Sequence, residues 1–149
     1  MDQRLNFVTL AVADVAASHA FYVDGLGWQP ELYVPGEVLM IRVAGSVVLS
    51  LWDRAAFTRE VGVPVDGTAF APLTLAHNVA SPAEVDAAIE AALAAGARLL
   101  APGAPREWGG YSGYVADPDG FAWEIAYNPA PLGEAVLAAW RLGPPAVQP

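Results

Sequence analysis

Glu124 is the carboxylate of this sequence best placed to do chemistry, because it lies in an alternating, strand-like segment directly after the turn sequence of residues 117–120. One interpretation is structural, with the carboxylate hydrogen-bonded to Thr74, Ser50 or Tyr111. The other is functional, with Glu124 acting as a general base or as a counter-charge for a cationic ligand. Ionisable groups in clefts mark functional sites only statistically, so the residues alone leave both interpretations open.

Three aromatic residues are candidate ligand contacts: Trp52, Trp108 and Tyr111. Aromatic side chains often fill a core, which is the alternative for each of them. Trp108 and Tyr111, however, belong to the segment of residues 105–111, whose two adjacent glycines are atypical of a well-packed strand. Aromatic surfaces on such segments commonly stack on planar ligands, so the pattern favours ligand contact.

Few side chains are available for metal binding or nucleophilic catalysis. The sequence has no Cys, which removes disulfides, thiolate nucleophiles and Cys-ligated metals. His77 alternates with Leu75 and Val79 on an apolar face, which indicates a core or helix-packed imidazole rather than a ligand. His19 lies on a predicted helix and Arg42 on a predicted strand. Surface positions are the simplest interpretation of both, although Arg42 could anchor an anion.

The composition excludes several classes of protein. The chain has 149 residues, of which 55% are hydrophobic and 15% charged, and this balance excludes a disordered or coiled-coil protein. A formal net charge of -9 makes nucleic acid an unfavourable partner. Charged residues, Gly or Pro interrupt every apolar run before the roughly 20 residues of a membrane span, and the acidic start lacks the features of a signal peptide. We therefore expect a cytoplasmic protein with no membrane partner.

Two helices can be placed from their first residues. Ser81 can cap a helix that runs to Ala95, with Pro82 at its first position and Glu84 completing a capping box. An earlier helix opens at Asp14 and ends at the glycines near residue 25. Apolar residues at helical spacing predict a packed stripe on the later helix, formed by Val85, Ala88, Ile89, Ala92 and Leu93.

Each helix follows one predicted strand and precedes three more, so both halves of the chain have the pattern βαβββ. The strands after the helices are predicted near residues 31–33, 38–43, 47–52, 98–100, 111–115 and 121–127. We predict a single domain over residues 1–149, with one module at about 5–54, a linker at 55–70, a second module at about 71–128, and a C-terminal helix and tail at 129–149, the helix covering 134–142.

The alternation along the strands assigns two faces to the sheet. The bulky face suits the two apolar helix stripes, and its residues are Val8, Leu10, Val12, Leu49, Leu51, Leu75, Val79, Phe121, Trp123 and Ile125. The opposite face is small, polar and sparsely aromatic, and it carries Phe7, Thr9, Ala11, Ser50, Trp52, Thr74, Ala76, Asn78, Ala122, Glu124, Ala126 and Asn128. Such a face does not fill its own volume, so a curved sheet would leave a concave cavity with a few polar anchors.

These motifs together resemble a known family, the glyoxalase/bleomycin resistance/dioxygenase superfamily, also called vicinal oxygen chelate. The resemblance covers about residues 5–128 and lies in the tandem βαβββ pattern and in the segments at residues 12–14, 18–22, 25–28 and 117–124. It implies an α+β fold in which tandem βαβββ modules form a curved, mostly antiparallel sheet with a concave cavity and helices on its outer face. Because one fold hosts many activities, the resemblance leaves the activity open.

The resemblance also implies where metal-dependent members hold a divalent ion, namely on four inward His, Gln or Glu side chains. The matching positions in this chain are Phe7, Ser50, Thr74 and Glu124. Zinc, nickel and iron need several imidazole or carboxylate donors, and only Glu124 would ligate well. We therefore predict no metal ligands and no cofactor.

The first functional hypothesis is a metal-independent protein that binds a small planar or amphipathic organic ligand, as in antibiotic sequestration. Its predicted ligand-binding residues are Phe7, Thr9, Ser50, Trp52, Thr74, Trp108, Tyr111 and Glu124. The alternative is a lyase, isomerase or dioxygenase of the same superfamily, either metal-dependent or with Glu124 as the catalytic general base. A third hypothesis, an accessory module acting through a protein partner, has no motif in its favour. The resemblance further implies a homodimer.

Overall fold

The computed structural model describes residues 6–45, 47–61 and 73–141, and the chain divides into two compact units at residues 70 and 71. Both units contain the βαβββ unit that the sequence predicts, so the α+β fold of tandem modules is confirmed. Along the chain the elements are β1 (Phe7–Val12), α1 (Val15–His19), β2 (Pro30–Val34), β3 (Val38–Ala44), β4 (Val47–Asp53), α2 (Arg54–Val61), β5 (Thr74–Val79), α3 (Pro82–Ala94), β6 (Arg98–Pro105), β7 (Tyr111–Ala116), β8 (Ala122–Tyr127) and α4 (Pro131–Arg141).

The first module is a four-stranded sheet in the order β1-β4-β3-β2, with β1 and β4 parallel and the other pairs antiparallel. Its helix begins where predicted, because the Asp14 carboxylate accepts a hydrogen bond of 2.8 Å from the Ala16 amide. The helix then continues as a π-helical segment, Ala20–Gly25, that buries Phe21 and Tyr22. Val12, Leu39 and Leu51 are fully buried on the helix-facing side of this sheet.

The second module repeats this arrangement in the order β5-β8-β7-β6, with β5 and β8 parallel. The Ser81 hydroxyl accepts a hydrogen bond from the Glu84 amide, so Ser81 caps α3 as predicted. The Glu84 carboxylate differs from the predicted capping box, because it accepts from the amide of Ala80, one residue before the cap. Asp117 closes the predicted turn between β7 and β8 by accepting hydrogen bonds from the amides of Asp119 and Phe121.

The strand register confirms that each sheet has a helix-facing side and a polar side. In the second module Val85, Ile89 and Ala92 of α3 are buried, and the Ile89 side chain lies against Gly113 of β7. Leu93 differs from the prediction, because it is 37% exposed rather than packed in the stripe. The polar sides carry the residues from which a site can be built.

Two elements differ from the expectations. Helix α2 occupies part of the segment predicted as a linker, because Asp53 accepts a hydrogen bond of 2.8 Å from the Ala56 amide and so caps its first turn. The rest of that linker lies outside the described residues. Strand β6 is longer than predicted and is interrupted by irregularities in its pairing with β7. No helix in the described ranges is long and apolar enough to cross a membrane.

Candidate functional site

The four positions at which the family would hold a metal do not form a ligand set. Phe7 is 53% exposed and has no donor atom, and Ser50 is buried on the polar side of the first module. Thr74 lies exposed on the edge strand β5, one strand away from Glu124 in the second module. Glu124 alone offers a carboxylate, and in the described parts of the chain no three His, Asp or Glu side chains are grouped to hold an ion. This donor set does not fit zinc, nickel or iron.

Trp52 lies on the first module's polar side, as does Phe7. The register places Thr9 opposite Ser50, and Trp52 between Ala11 of β1 and Val38 of β3, with the indole half-buried. The indole meets the Phe57 ring of α2 edge to face, with 6.2 Å between ring centroids. This contact fixes the orientation of Trp52 against the helix that sequence analysis did not predict.

A half-open cavity of about 390 Å³ lies beside Trp52. The turn between β2 and β3, the end of β4 and helix α2 form its walls. The backbone there is tied together, since the Asp53 amide donates a hydrogen bond of 2.8 Å to the Glu37 carbonyl. The described lining residues are Gly36, Glu37, Trp52, Asp53, Ala56, Arg59 and Glu60. Three carboxylates against one guanidinium make this described lining acidic.

Glu124 lies on the polar side of the second module and is hydrogen-bonded there. The Tyr114 hydroxyl donates a hydrogen bond of 2.9 Å to Glu124 Oε1. Arg106 lies beside the same tyrosine, with its guanidinium carbon 5.7 Å from the ring centroid. Arg106 is held in place by Ser112, which is fully buried: Nε donates to Ser112 Oγ at 2.9 Å and Nη2 to Ser112 O at 2.7 Å. We call Arg106, Ser112, Tyr114 and Glu124 the Tyr114 cluster.

The pKa of the Tyr114 phenol is raised above its ordinary value. Burial is the largest cause and the hydrogen bond to Glu124 the next, while Arg106 and Ser112 act in the opposite direction. The phenol therefore remains a hydrogen-bond donor at neutral pH.

Tyr111 does not join Glu124. It lies on the helix-facing side of β7, where its hydroxyl donates to Asp86 of α3, at 3.0 Å from Oδ1 and 3.2 Å from Oδ2. Gly103 makes room for this contact, because a Cβ there would collide with the Tyr111 ring and the Asp86 carboxylate. The hydrogen-bond partner of Glu124 is therefore Tyr114, and not Thr74, Ser50 or Tyr111 as predicted.

Trp108 projects from the turn between β6 and β7 and is 51% exposed. Its ring lies directly over Gly110, where a Cβ would collide with the indole. Gly110 is therefore required by the packing of this ring, whereas Gly109 is favoured by its positive φ of 88°. Ligand contact by Trp108 stays a prediction.

The other charged candidates have local roles. Arg42 forms an ion pair of 2.7 Å with Glu31 on the neighbouring strand, which raises the pKa of Arg42 and lowers that of Glu31. His19 stacks on Tyr33 at 4.4 Å between centroids and lies 3.4 Å from Asp24. His77 is exposed on the edge strand β5, so it is not a core imidazole, and the other expectation, packing against a helix, stays a prediction. Desolvation by the surrounding protein atoms lowers its pKa.

Known proteins that are similar to this chain belong to one family. The family model described as Glyoxalase/Bleomycin resistance protein/Dioxygenase superfamily matches residues 4–125. The crystal structure of a glyoxalase-related enzyme from Fulvimarina pelagi has 40% identity and a TM-score of 0.78, with 85% of this chain and 89% of that chain covered. A glyoxalase/bleomycin resistance protein/dioxygenase from Nocardioides has 28% identity and a TM-score of 0.72, with 85% and 84% covered.

A lactoylglutathione lyase from Agrobacterium tumefaciens has 23% identity and a TM-score of 0.66, with 85% of this chain and 95% of that chain covered, and at this identity it shows the fold alone. No functionally curated protein matches the chain. The family model and the Fulvimarina pelagi structure together show that the chain belongs to the glyoxalase/bleomycin resistance protein/dioxygenase superfamily.

Proposed function

We propose that this superfamily member binds a small planar organic ligand that carries a positive charge, without a metal ion, in the cavity beside Trp52. Sequestration of an antibiotic of that chemistry is one role such binding would serve. The observation that carries the proposal is the combination of an indole and an excess of carboxylates in one half-open cavity.

The dimensions and chemistry of the cavity support a small ligand. A volume of about 390 Å³ lies within the range of roughly 300–1,000 Å³ typical of small-molecule sites. Tryptophan is the side chain that attracts cations most strongly through its ring face. Glu37 and Glu60 add negative charge beside that ring, and both lie at the exposed rim. A planar ligand with an ammonium group would contact both the indole ring and these carboxylates.

The absence of suitable donors supports binding without a metal. Phe7, Ser50 and Thr74 offer an aromatic ring and two hydroxyls where the superfamily's metal-dependent members place stronger donors. Glu124, the remaining candidate, already accepts the Tyr114 hydroxyl. Ligand recognition by Trp52 needs none of these groups.

Calorimetry with benzyltrimethylammonium, a cation with a planar aromatic ring, tests the proposal, and benzoate serves as an aromatic anion. We expect binding of the cation, no binding of benzoate, and an affinity about 5- to 30-fold lower in Trp52→Leu, because a cation on an indole contributes about 1–2 kcal/mol. Trp28→Phe, which changes an indole packed on Tyr22 outside the described lining, should bind normally. Equal binding of benzoate, or full affinity in Trp52→Leu, would overturn the proposal.

The carboxylates have a matched control in the same module. Glu60→Gln and Glu37→Gln should each weaken binding of the cation a few-fold through lost attraction. Glu31→Gln makes the same change of charge at a residue paired with Arg42 and outside the described lining, so it should have no effect. Equal losses in all three variants would show that only the net charge of the protein matters.

A second candidate function is metal-independent proton transfer with Glu124 as the general base. The observation that favours it is the Tyr114 hydrogen bond, which orients a half-buried carboxylate on the polar side of the second module. Glu124→Gln should then abolish turnover while ligand affinity is kept. Unchanged turnover in that variant would remove this candidate.

A further inference from the structure

The Tyr114 cluster presents two incompletely used charged groups, one at each end of its network. Arg106 uses Nε and Nη2 to hold Ser112, and in the described part of the chain Nη1 has no hydrogen-bond partner. Glu124 uses Oε1 to accept the Tyr114 hydroxyl, and within the same residues Oε2 accepts no hydrogen bond. A donor with positive charge and an acceptor with negative charge are thus both available.

The cluster holds these groups in fixed positions. Ser112 is fully buried and receives two hydrogen bonds from Arg106, so the guanidinium is oriented by the backbone and side chain of one core residue. The guanidinium also lies over the Tyr114 ring, and the hydroxyl of that ring orients Glu124. Such preorganisation lowers the entropy cost of binding a ligand.

The guanidinium of Arg106 has no ion-pair partner among the described residues. Among the described residues no carboxylate lies within ion-pair distance of Arg106, although the chain carries a net charge of -9. Arg106 and Glu124 are both half-buried, so their charges are less screened than those of exposed groups. A guanidinium with free N–H groups is the side chain best suited to bind a carboxylate.

From this juxtaposition we propose that the Tyr114 cluster is a binding site for a small bipolar ligand, an amino acid or a related amino carboxylate. Its carboxylate accepts hydrogen bonds from Arg106, its ammonium donates to Glu124 Oε2, and its aliphatic spacer lies along Tyr114. This site is built from residues of the second module, whereas the proposed cavity beside Trp52 is built from residues of the first.

Titration of the intact protein with δ-aminovalerate, monitored by NMR, tests this site. Valerate and n-pentylamine are monofunctional controls, and γ-aminobutyrate tests the spacer length. We expect δ-aminovalerate or γ-aminobutyrate to bind at least about 10-fold more tightly than valerate and n-pentylamine, because both charged ends are used at once. If neither amino carboxylate binds better than the stronger monofunctional compound, the proposal is wrong.

The variants assign the two ends. Arg106→Gln should weaken binding of the amino carboxylate at least about 10-fold, and Glu124→Gln should reduce its affinity to that of valerate. Asp86→Asn is the matched control, since Asp86 also accepts a tyrosine hydroxyl in this module but on the helix-facing side. Full affinity in either cluster variant, or an equal loss in Asp86→Asn, would overturn the assignment.

These outcomes are distinct from those for the cavity beside Trp52. Trp52→Leu should leave binding of the amino carboxylate unchanged, so failure of one site does not imply failure of the other. If Arg106→Gln does not fold, because Ser112 loses both hydrogen bonds, the comparison of bifunctional and monofunctional ligands on the unaltered protein decides the question.

Discussion

Glu124 and Asp86 show how position decides what a carboxylate can do. Each accepts a hydrogen bond from a tyrosine of β7, but the two tyrosines point to opposite sides of the sheet. Asp86 lies on the exposed surface of α3, where its bond to Tyr111 ties the helix to the strand. Glu124 lies among polar and charged side chains that face away from the helix, so it is the carboxylate available to a ligand.

The register of a hairpin could have identified the partner of Glu124 from the sequence. Asp117 and Phe121 are joined across the predicted turn, and Tyr114 and Glu124 lie equally far from that turn along their strands. Counting from the turn therefore places the two side chains opposite each other on one face. The contribution of Arg106 could not be found this way, because it depends on the irregular end of β6.

His77 should make stability depend on pH. Desolvation lowers its pKa in the folded protein, so folding disfavours the protonated form. Neutral His77 therefore costs the folded protein no stability above the ordinary histidine pKa of about 6.5. As the pH falls through that value and through the lower pKa of the folded state, the free energy of unfolding decreases. Urea unfolding of His77→Gln should show a weaker fall in the free energy of unfolding over this range, and an identical fall would contradict the interpretation.

At the scale of elements, caps and turns were the most predictable features. Ser81 and Asp14 begin helices where the sequence places them, because a side-chain acceptor before an apolar stripe has few other structural uses. Helix α2 was missed because its segment has no apolar stripe and follows a strand without a break. Its cap, Asp53, is also the last residue of β4.

Removal of the α3 cap should destabilise the protein measurably. Ser81→Ala leaves the Glu84 amide without its acceptor, and we expect a loss of about 1 kcal/mol in the free energy of unfolding. Ser81→Asp, which keeps an acceptor at the same position, should restore most of it. Chemical denaturation of the three proteins checks this, and equal stability of Ser81→Ala and the unaltered protein would show that the cap is not needed.

The turn between β6 and β7 depends on a glycine beneath an indole. In Gly110→Ala the added methyl group collides with Trp108, so the ring must move or the turn must distort, at a cost of about 1–3 kcal/mol. In the background Trp108→Leu the same substitution should cost less. A double-mutant cycle by urea unfolding measures this difference, and strictly additive effects would contradict the packing described.

At the scale of the whole molecule, the sequence predicts the family and the tandem modules but not the location of ligand recognition. Trp52, one of the aromatic candidates, lines a cavity, but other walls of that cavity come from Glu37 and from the unpredicted helix α2. The alternation of residues along a strand predicts which face each side chain lies on. It does not predict a cavity, because the turn and the helix that form the walls come together only in the folded protein. The contacts of Arg106 with Ser112 and Tyr114 could not be predicted for the same reason.

For the whole molecule, we propose that it binds an organic cation beside Trp52 without a metal ion. Calorimetric titration of chelator-treated protein with benzyltrimethylammonium, repeated after addition of zinc, nickel or ferrous ions, tests it most directly. We expect the same affinity with and without each ion, and an affinity about 5- to 30-fold lower in Trp52→Leu. Binding that occurs only after a divalent ion is restored would contradict it.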